Sequence, residues 1–526
     1  MRTLVPILTI ALAACAAERD PALDRPRLIT GPIPLQAQVA YVDGALDRVV
    51  LVDVAEATPA VHTVGVGRDP IWASPTFKRD RLLVITRGEE ALARGQVDED
   101  PMLWNIDVAN PDTPPVGYDI GSPFDRLAVS TDGKLAVAHF SEAGPDAQGF
   151  FRNPNELAFV DLTRPPGPDN PVLKTLRSFS STPTAIVLSP PMTIPGAADA
   201  TPRVFAFVLA QNRISVVDAT YPTHDEVTIR LDQAGASVLP REVVFAPNTA
   251  TAYVRSDGAR DVLEVLIGND PPPADQADAN DFRPVLAELG AGGGPADVAV
   301  YDDVDGRRFI LAATPGTREV VVIDADTAEF VRVATPDPVD RIVLFPADPD
   351  VPARKAVLAS IGARLSRVQV LDLEGIDEDL IPRSVTTIEV GEPVMAIEPV
   401  PGRELAMLVH DDQRTVLGLL DVAYGSVSPL QGVGRLDDYA FTSSGKYLVA
   451  ATPSLARLGY LDLDNLHPTD LRLDDVPARL FALPDGKLFV DHGDPLGRAT
   501  IIPSPEASRD DSVVLSGFLL AGLLEE

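Results

Sequence analysis

Cysteine is all but missing from this chain. Cys15 is the only one in 526 residues, which excludes an internal disulfide and every cysteine-rich metal framework. Histidine occurs six times and tryptophan twice, at Trp72 and Trp104, so few of the side chains that metal and redox sites need are present. Positive charge is scarce as well: 44 Lys and Arg stand against 77 Asp and Glu, a formal net charge of -33. The field of such a molecule repels phosphate backbones and anionic head groups, which argues against a nucleic-acid partner. Long apolar runs are also missing. The two longest candidates, at the extreme ends of the chain, are each about 15 residues, short of the roughly 20 that cross a bilayer as a helix. No stretch keeps a helical period long enough to compete with short strands.

What is abundant is proline and glycine, 50 and 37 residues. Proline removes a backbone donor and clashes with the preceding helical turn, so this composition suits short strands and many turns. Hydrophobic residues make up 45% and charged residues 23%, enough apolar material for a large core and too little charge for wholesale disorder. The acidic residues are spread along the chain and form no tail, which reads as a solvated surface.

The first residues are a targeting segment. Met1 and Arg2 supply a minimal positive end, Leu4 to Ala11 a short apolar run, and Leu12-Ala13-Ala14 small residues directly before Cys15; that order is a secretory signal. It resembles bacterial lipoproteins, whose cleavage box ends in a small residue and the cysteine that receives diacylglycerol. The resemblance implies a signal peptide over 1–14, a membrane attachment through lipid on Cys15, and residence in the bacterial cell envelope. Ala16 after that cysteine implies passage to the outer membrane, on its periplasmic or its exposed side. Several acyl chains at roughly 0.8 kcal/mol per buried CH₂ make a stable anchor. Residues 15–36, with four prolines and no periodicity, read as an extended tether, and 37–526 as the folded domain.

Within that domain one phrase recurs, a β-branched run closing on aspartate: "RVVLVD" at Asp53, "LWNID" at Asp107, "LAFVD" at Asp161, "ISVVD" at Asp218, "VVVID" at Asp324, "VQVLD" at Asp372, "LGLLD" at Asp421 and "LGYLD" at Asp462. With a degenerate copy, "LEVLIG" at Leu263 to Gly268, the spacing is roughly 40 to 60 residues. Before each phrase come an apolar strand, a tight turn such as "TDGK" at Thr131 to Lys134, "SSGK" at Ser443 to Lys446 or "PDGK" at Pro484 to Lys487, and a second strand; a fourth strand follows. Four antiparallel strands per unit cannot bury both faces of their sheet alone, so the units must stack around an axis. The fold class expected is all-β, a single large β-propeller of four-stranded antiparallel blades.

The repeat resembles the YVTN-type propellers, secreted relatives of WD-repeat and quinoprotein propellers: "GSPFDRLAVSTDGKLAVAHF" with "LAFVD", and "GAGGGPADVAV" with "VVVID", carry its order. The second-strand signature departs from it, reading "LAVAHF", "LAMLVH" or "YLVAA". Eight fairly complete units lie between Gly65 and Asp475, with further strands on either side. Joining the end pieces into one closing blade gives nine, so eight or nine blades are expected, with two smaller propellers as the alternative. The final stretch from Ser512 reads as a closing strand or a docked apolar segment.

The connections from strand two to three and from strand four to the next blade open on one face, around the channel mouth, the default ligand site of such a ring. Arg126, Arg241, Arg341 and Arg479 precede or begin first strands there and form a candidate cationic mouth able to clamp a carboxylate. The plainer reading pairs them with neighbouring aspartates such as Asp125 and Asp340. His139, His410 and His492 close second strands, the latter two followed by Asp411 and Asp494. If these groups converge, a metal-dependent enzyme follows; dispersed, they are turn residues bonding their own backbone. "YDDVDG" (Tyr301 to Gly306) has Tyr301 where a calcium loop needs aspartate and reads as a hairpin turn. "GAGGGP" (Gly290 to Pro295) lacks the lysine of a phosphate loop and reads as an inter-blade turn.

No catalytic motif has convincing context, and no metal or cofactor is called for. The function expected is a non-enzymatic binding or scaffold module for a protein, peptide or envelope polymer, monomeric and lipid-anchored. The alternative, implied by the propeller resemblance, is an enzyme such as a lactonase, lyase or quinoprotein-like hydrolase or dehydrogenase. With two tryptophans a quinone floor is poorly supplied.

Overall fold

The structure, a computed structural model, describes residues 28–89, 98–141, 153–177, 183–197, 200–231, 237–271, 281–348, 351–374, 376, 385–430, 438–452 and 455–523. The expected signal peptide and the lipidated Cys15 lie outside them. Among the described residues, forty strands form ten four-stranded sheets, each built from four consecutive antiparallel strands. The ten blades cover 29–65, 70–119, 126–175, 185–230, 239–289, 297–334, 341–389, 396–430, 438–472 and 479–516. Among the described residues, no helix is long and apolar enough to cross a membrane.

Blade number corrects the expectation of eight or nine. Each end piece is a whole blade: the chain's first strand, Ile29–Pro34, pairs with Gln38–Asp43, inside the segment expected to be tether, and the last, Val513–Ser516, pairs with Arg498–Ile502. The degenerate copy is the third strand of blade five, Val262–Asn269.

Ten apolar clusters tie the blades into a ring, each shared by two neighbours. Val39, Tyr41, Val50 and Val52 of blade one, for instance, pack with Leu483, Phe489 and Ile501 of blade ten. The ring therefore closes on itself as one body, and the two-propeller alternative falls. Second and third strands, such as Phe205–Ala210 and Glu319–Asp324, are buried along nearly their whole length. They face a neighbouring blade on both sides, which is why they read as continuous apolar runs. First strands of adjacent blades approach one another around the axis and are half-buried, as in Pro70–Pro75 and Ala396–Pro399.

Proline respects this order. Within the strands it occurs only in first strands, as at Pro32, Pro34, Pro70, Pro240 and Pro399, or in fourth strands, as at Pro284, Pro429 and Pro468. Only edge strands tolerate the missing donor.

The recurring aspartate makes the corner between third and fourth strands. Asp53, Asp107, Asp161, Asp218, Asp324, Asp372 and Asp462 each accept a hydrogen bond on Oδ1 from the backbone N–H two residues on, at 2.8–3.1 Å. Asp421 accepts one from Tyr424, three residues on, at 3.0 Å. The aspartate is thus a turn-former.

The carbonyl just past that aspartate is the catch of an inter-blade latch, whose donor is the side chain at the start of the preceding blade's second strand. Gln38 Nε2 reaches Val108 O at 2.8 Å, Arg81 Nη1 reaches Leu162 O at 3.1 Å, and Lys355 Nζ reaches Val422 O at 3.1 Å. At the seam Lys487 Nζ bonds Val54 O, and Ala55 O at 2.7 Å. Beyond the last strand, Phe518 packs at a tilt against Tyr41 with ring centroids 5.1 Å apart, while Arg48 donates to Leu519 O and Ala521 O at 2.6 and 2.5 Å. The C-terminal stretch is thus both a closing strand and a docked apolar segment.

Candidate functional site

The residues predicted for the binding face all lie on one face of the ring, here called upper, where the two-to-three and inter-blade connections emerge. Arg126, Arg341 and Arg479 begin the first strands of blades three, seven and ten, and Arg241 sits at a bulge in that of blade five. All four are exposed.

Their partners differ from those expected. Arg126 Nη1 donates to the backbone carbonyl of Asp125, whose carboxylate is held by Ser141 N and Oγ, both at 2.7 Å. Arg241 Nε pairs with Asp257 at 2.6 Å. Arg341 Nε lies 4.0 Å from Asp297 of the preceding blade, while Asp340 accepts from Ile361 N and Gly362 N, both at 2.7 Å. The neighbouring aspartates hold backbone, which leaves Arg126 without an ion-pair partner among the described residues and Arg341 with only the long contact to Asp297.

Two upper-face carboxylates bridge blades. Asp297 Oδ2 accepts from Ile342 N at 2.7 Å, and Asp438 Oδ2 from Leu480 N at 2.6 Å. In each case the first strand of one blade holds the first strand of the next. Burial pushes both carboxyls above their ordinary value, against these hydrogen bonds.

The histidines do not converge. They belong to blades three, eight and ten, and each donates from Nδ1 to a backbone carbonyl: His139 to Phe140 at 3.1 Å, His410 to Pro393 at 3.1 Å, His492 to Val476 at 3.0 Å. The carbonyl acceptors fix the proton on Nδ1. His492 Nε2 also accepts from Thr500 Oγ1 at 2.8 Å. Burial holds the His139 imidazole below its ordinary pKa. Asp411 caps its turn, accepting from Thr415 N at 2.7 Å and Val416 N at 3.0 Å; burial pulls its carboxyl up, but these bonds and that of the Thr415 hydroxyl outweigh it. Asp494 accepts from Leu496 N at 2.7 Å. "YDDVDG" is a hairpin turn in which Asp303 Oδ1 accepts from Asp305 N and Arg307 N, both at 2.9 Å.

The glycine-rich loop joins blades five and six beside an open cleft of about 330 Å³ lined by Arg255, Asp257, Gly258, Gly294 and Pro295. A Cβ at Gly293 would stand 2.7 Å from the Thr314 side chain, so the loop lies flat against the next blade's turn.

One cluster was not legible in the sequence. At the outer, lower joint of blades four and five, ligand atoms of Asp218, His224 and Asp281 lie within 4.8 Å of one another. Arg203, almost buried, occupies it, donating to Asp281 at 2.6 and 2.8 Å and to Asp218 at 3.3 Å over the Tyr221 ring. Arg203 draws the Asp281 carboxyl below its ordinary value, while burial pushes that of Asp218 up. A guanidinium already neutralises these carboxylates, so the donor set fits an ion pair and not a metal.

No protein-family model matches the chain, and no curated protein is significantly similar to it. Many solved structures are distantly similar, and two of them show the distance. One is described as dihydro-heme d1 dehydrogenase NirN in complex with DHE, 14% identical over 86% of this chain and 76% of that one, with a TM-score of 0.39. The other is described as a eukaryotic initiation factor, 13% identical over 77% of this chain and 88% of that one, with a TM-score of 0.43. At this distance neither says anything of activity. What stands is the architecture of the chain itself, a propeller of ten four-stranded antiparallel blades.

Proposed function

We propose that this chain is a lipid-anchored, extracytoplasmic propeller with YVTN-like repeats, held to the bacterial outer membrane through Cys15, and that its upper face binds a protein, peptide or envelope polymer. The observation that carries this reading is the state of that face: His139, His410 and His492 are each engaged by backbone in separate blades, while Arg126, Arg341 and Arg479 stand exposed around the mouth. Exposed guanidinium groups on a rigid frame recognise carboxylates and other anionic groups; they do not by themselves make a reaction centre. The anchor rests on Leu12-Ala13-Ala14-Cys15.

Two measurements test it. Mass spectrometry of the mature protein from its native host should find the amino-terminal residue to be Cys15 carrying acyl chains, and a Cys15→Ser variant should remain unacylated. Affinity capture from envelope extracts, with metal analysis of the purified protein, tests the binding role. A stoichiometric metal with no retained partner would overturn it.

A further inference from the structure

We propose that the upper face seats one kind of partner, a polypeptide carrying carboxylates beside aliphatic side chains, laid across the sector from blade five round to blade one. This rests on the binding role above and names its surface and its partner.

The first observation is a run of unpaired arginines. The two-to-three turns of blades five, six and seven each present an exposed arginine, Arg260, Arg318 and Arg364, and none has a carboxylate partner among the described residues. Other arginines at this edge are paired: Arg367, Arg457 and Arg498, which begin the third strands of blades seven, nine and ten, with Asp337, with Asp470 at 3.6 Å and with Asp475 at 3.5 Å, and Arg414 in the turn of blade eight with Glu398 at 3.6 Å. Arg318 and Arg364 hold left-handed backbone, φ 57° and 51°, a conformation that Asn212 supplies in blade four at φ 60°. The paired Arg414 of blade eight shares this conformation at φ 52°, so what sets Arg318 and Arg364 apart is the lack of a carboxylate partner and not the backbone.

The second observation adjoins the first. Among the described residues, the exposed large hydrophobics of the upper face are Leu28, Val416, Leu455, Val476 and Leu496, between 38% and 70% exposed. All fall in blades eight, nine, ten and one or the connections next to them. The remaining exposed ones, such as Phe77, Val304 and Tyr424, lie at lower corners or on outer hairpins.

An arginine sector beside an aliphatic sector matches the composition of protein interfaces, in which guanidinium anchors flank an apolar patch. A glycan is disfavoured, because no exposed Phe, Tyr or Trp lies on this face among the described residues to stack on a sugar ring. An anionic membrane is disfavoured by the net charge of -33. An acidic polypeptide meets the same net charge, but in physiological salt that field is screened beyond about 8 Å, and the arginines decide at contact.

The test uses the full chain in detergent and a fluorescein-labelled peptide of glutamate and leucine, followed by fluorescence anisotropy. Two control peptides carry lysine for glutamate or serine for leucine. The glutamate–leucine peptide should bind at least about tenfold more tightly than either control. Combined Arg260→Glu, Arg318→Glu and Arg364→Glu changes should weaken it about tenfold or more, as should Leu455→Ser with Leu496→Ser. Tyr424→Ser, at a lower corner, should change nothing, and thermal melts should confirm that all variants fold. Equal binding of the lysine peptide, or full affinity in the arginine variant, would overturn this surface. Envelope capture that survives both sets of changes would sink the surface and leave the binding role standing; peptide binding as described with no envelope partner would do the reverse.

Discussion

At the scale of single residues, the same side chain does opposite things according to what surrounds it. Asp324 forms a corner, and despite the upward pull of burial the N–H groups of Asp326 and Thr327, with Arg307, hold it below the ordinary carboxylate value. Asp438 accepts one inter-blade N–H from Leu480, and there burial outweighs it and drives the carboxyl up. The two therefore act on stability with opposite signs. A carboxyl whose folded value is raised contributes most below its unfolded value, about pH 4, and that contribution is lost as pH rises through the folded value. Asp438→Asn keeps an uncharged acceptor for Leu480 N at every pH. The variant's melting temperature relative to the native chain should therefore climb as pH rises from about 4 toward neutrality and level off at both ends. A difference that stays flat across this range would mean that the carboxylate is well solvated.

At the scale of elements, the seam between blades one and ten decides whether ten sheets behave as a ring. No strand is exchanged there; closure rests on the Lys487 latch, the Tyr41 hydroxyl donating to Asp491 at 2.8 Å, and Phe518 against Tyr41. Phe518 is buried and belongs to the seam's apolar cluster, so Phe518→Ala should cost about 3–5 kcal/mol. Lys487→Met should cost roughly 1.5–3 kcal/mol by removing a charged donor to two carbonyls. In denaturant both variants should lose the protection of blades one and ten before the rest, as read by hydrogen exchange. Loss spread evenly over all ten blades would place closure elsewhere.

The elements themselves were largely legible: aspartate-ended third strands and "DGK" turns mark their places because each does a local job in turn formation. Ile29–Pro34 was not, since Pro32 and Pro34 read as tether. An inner edge strand needs no donor on its open side, so proline is admitted there. The blade count failed for that reason: without this strand the two end pieces read as halves of one closing blade. The upper-face arginines of the first strands could be placed from the repeat. The Arg203 group could not, because Asp218 and Asp281 lie 15 and 78 residues away and meet only when two blades pack. Arg260, Arg318 and Arg364 recur in turns of unequal length, which hides their equivalence in the sequence.

At the scale of the whole molecule, ten blades set the character of the axis. Each blade turns the open edge of its first strand inward, with backbone N–H and C=O groups that no neighbouring strand pairs. In a dry centre those groups would be costly, since an unsatisfied buried peptide group loses about 1–3 kcal/mol. The half-burial of first strands such as Pro70–Pro75, Ala396–Pro399 and Asp438–Phe441 agrees with an open, water-filled channel that satisfies them. The middle strands are the reverse, their backbone paired on both sides and their side chains buried. Native-state hydrogen exchange should therefore rank the strands by position and not by blade. Amides of second and third strands should be the slowest in every blade, and those first-strand amides that point to the axis should exchange fast although they sit at the geometric centre of the protein. First-strand amides as protected as those of the middle strands would mean that the axis is packed or plugged, and the upper face would then be a closed surface instead of the mouth of a channel.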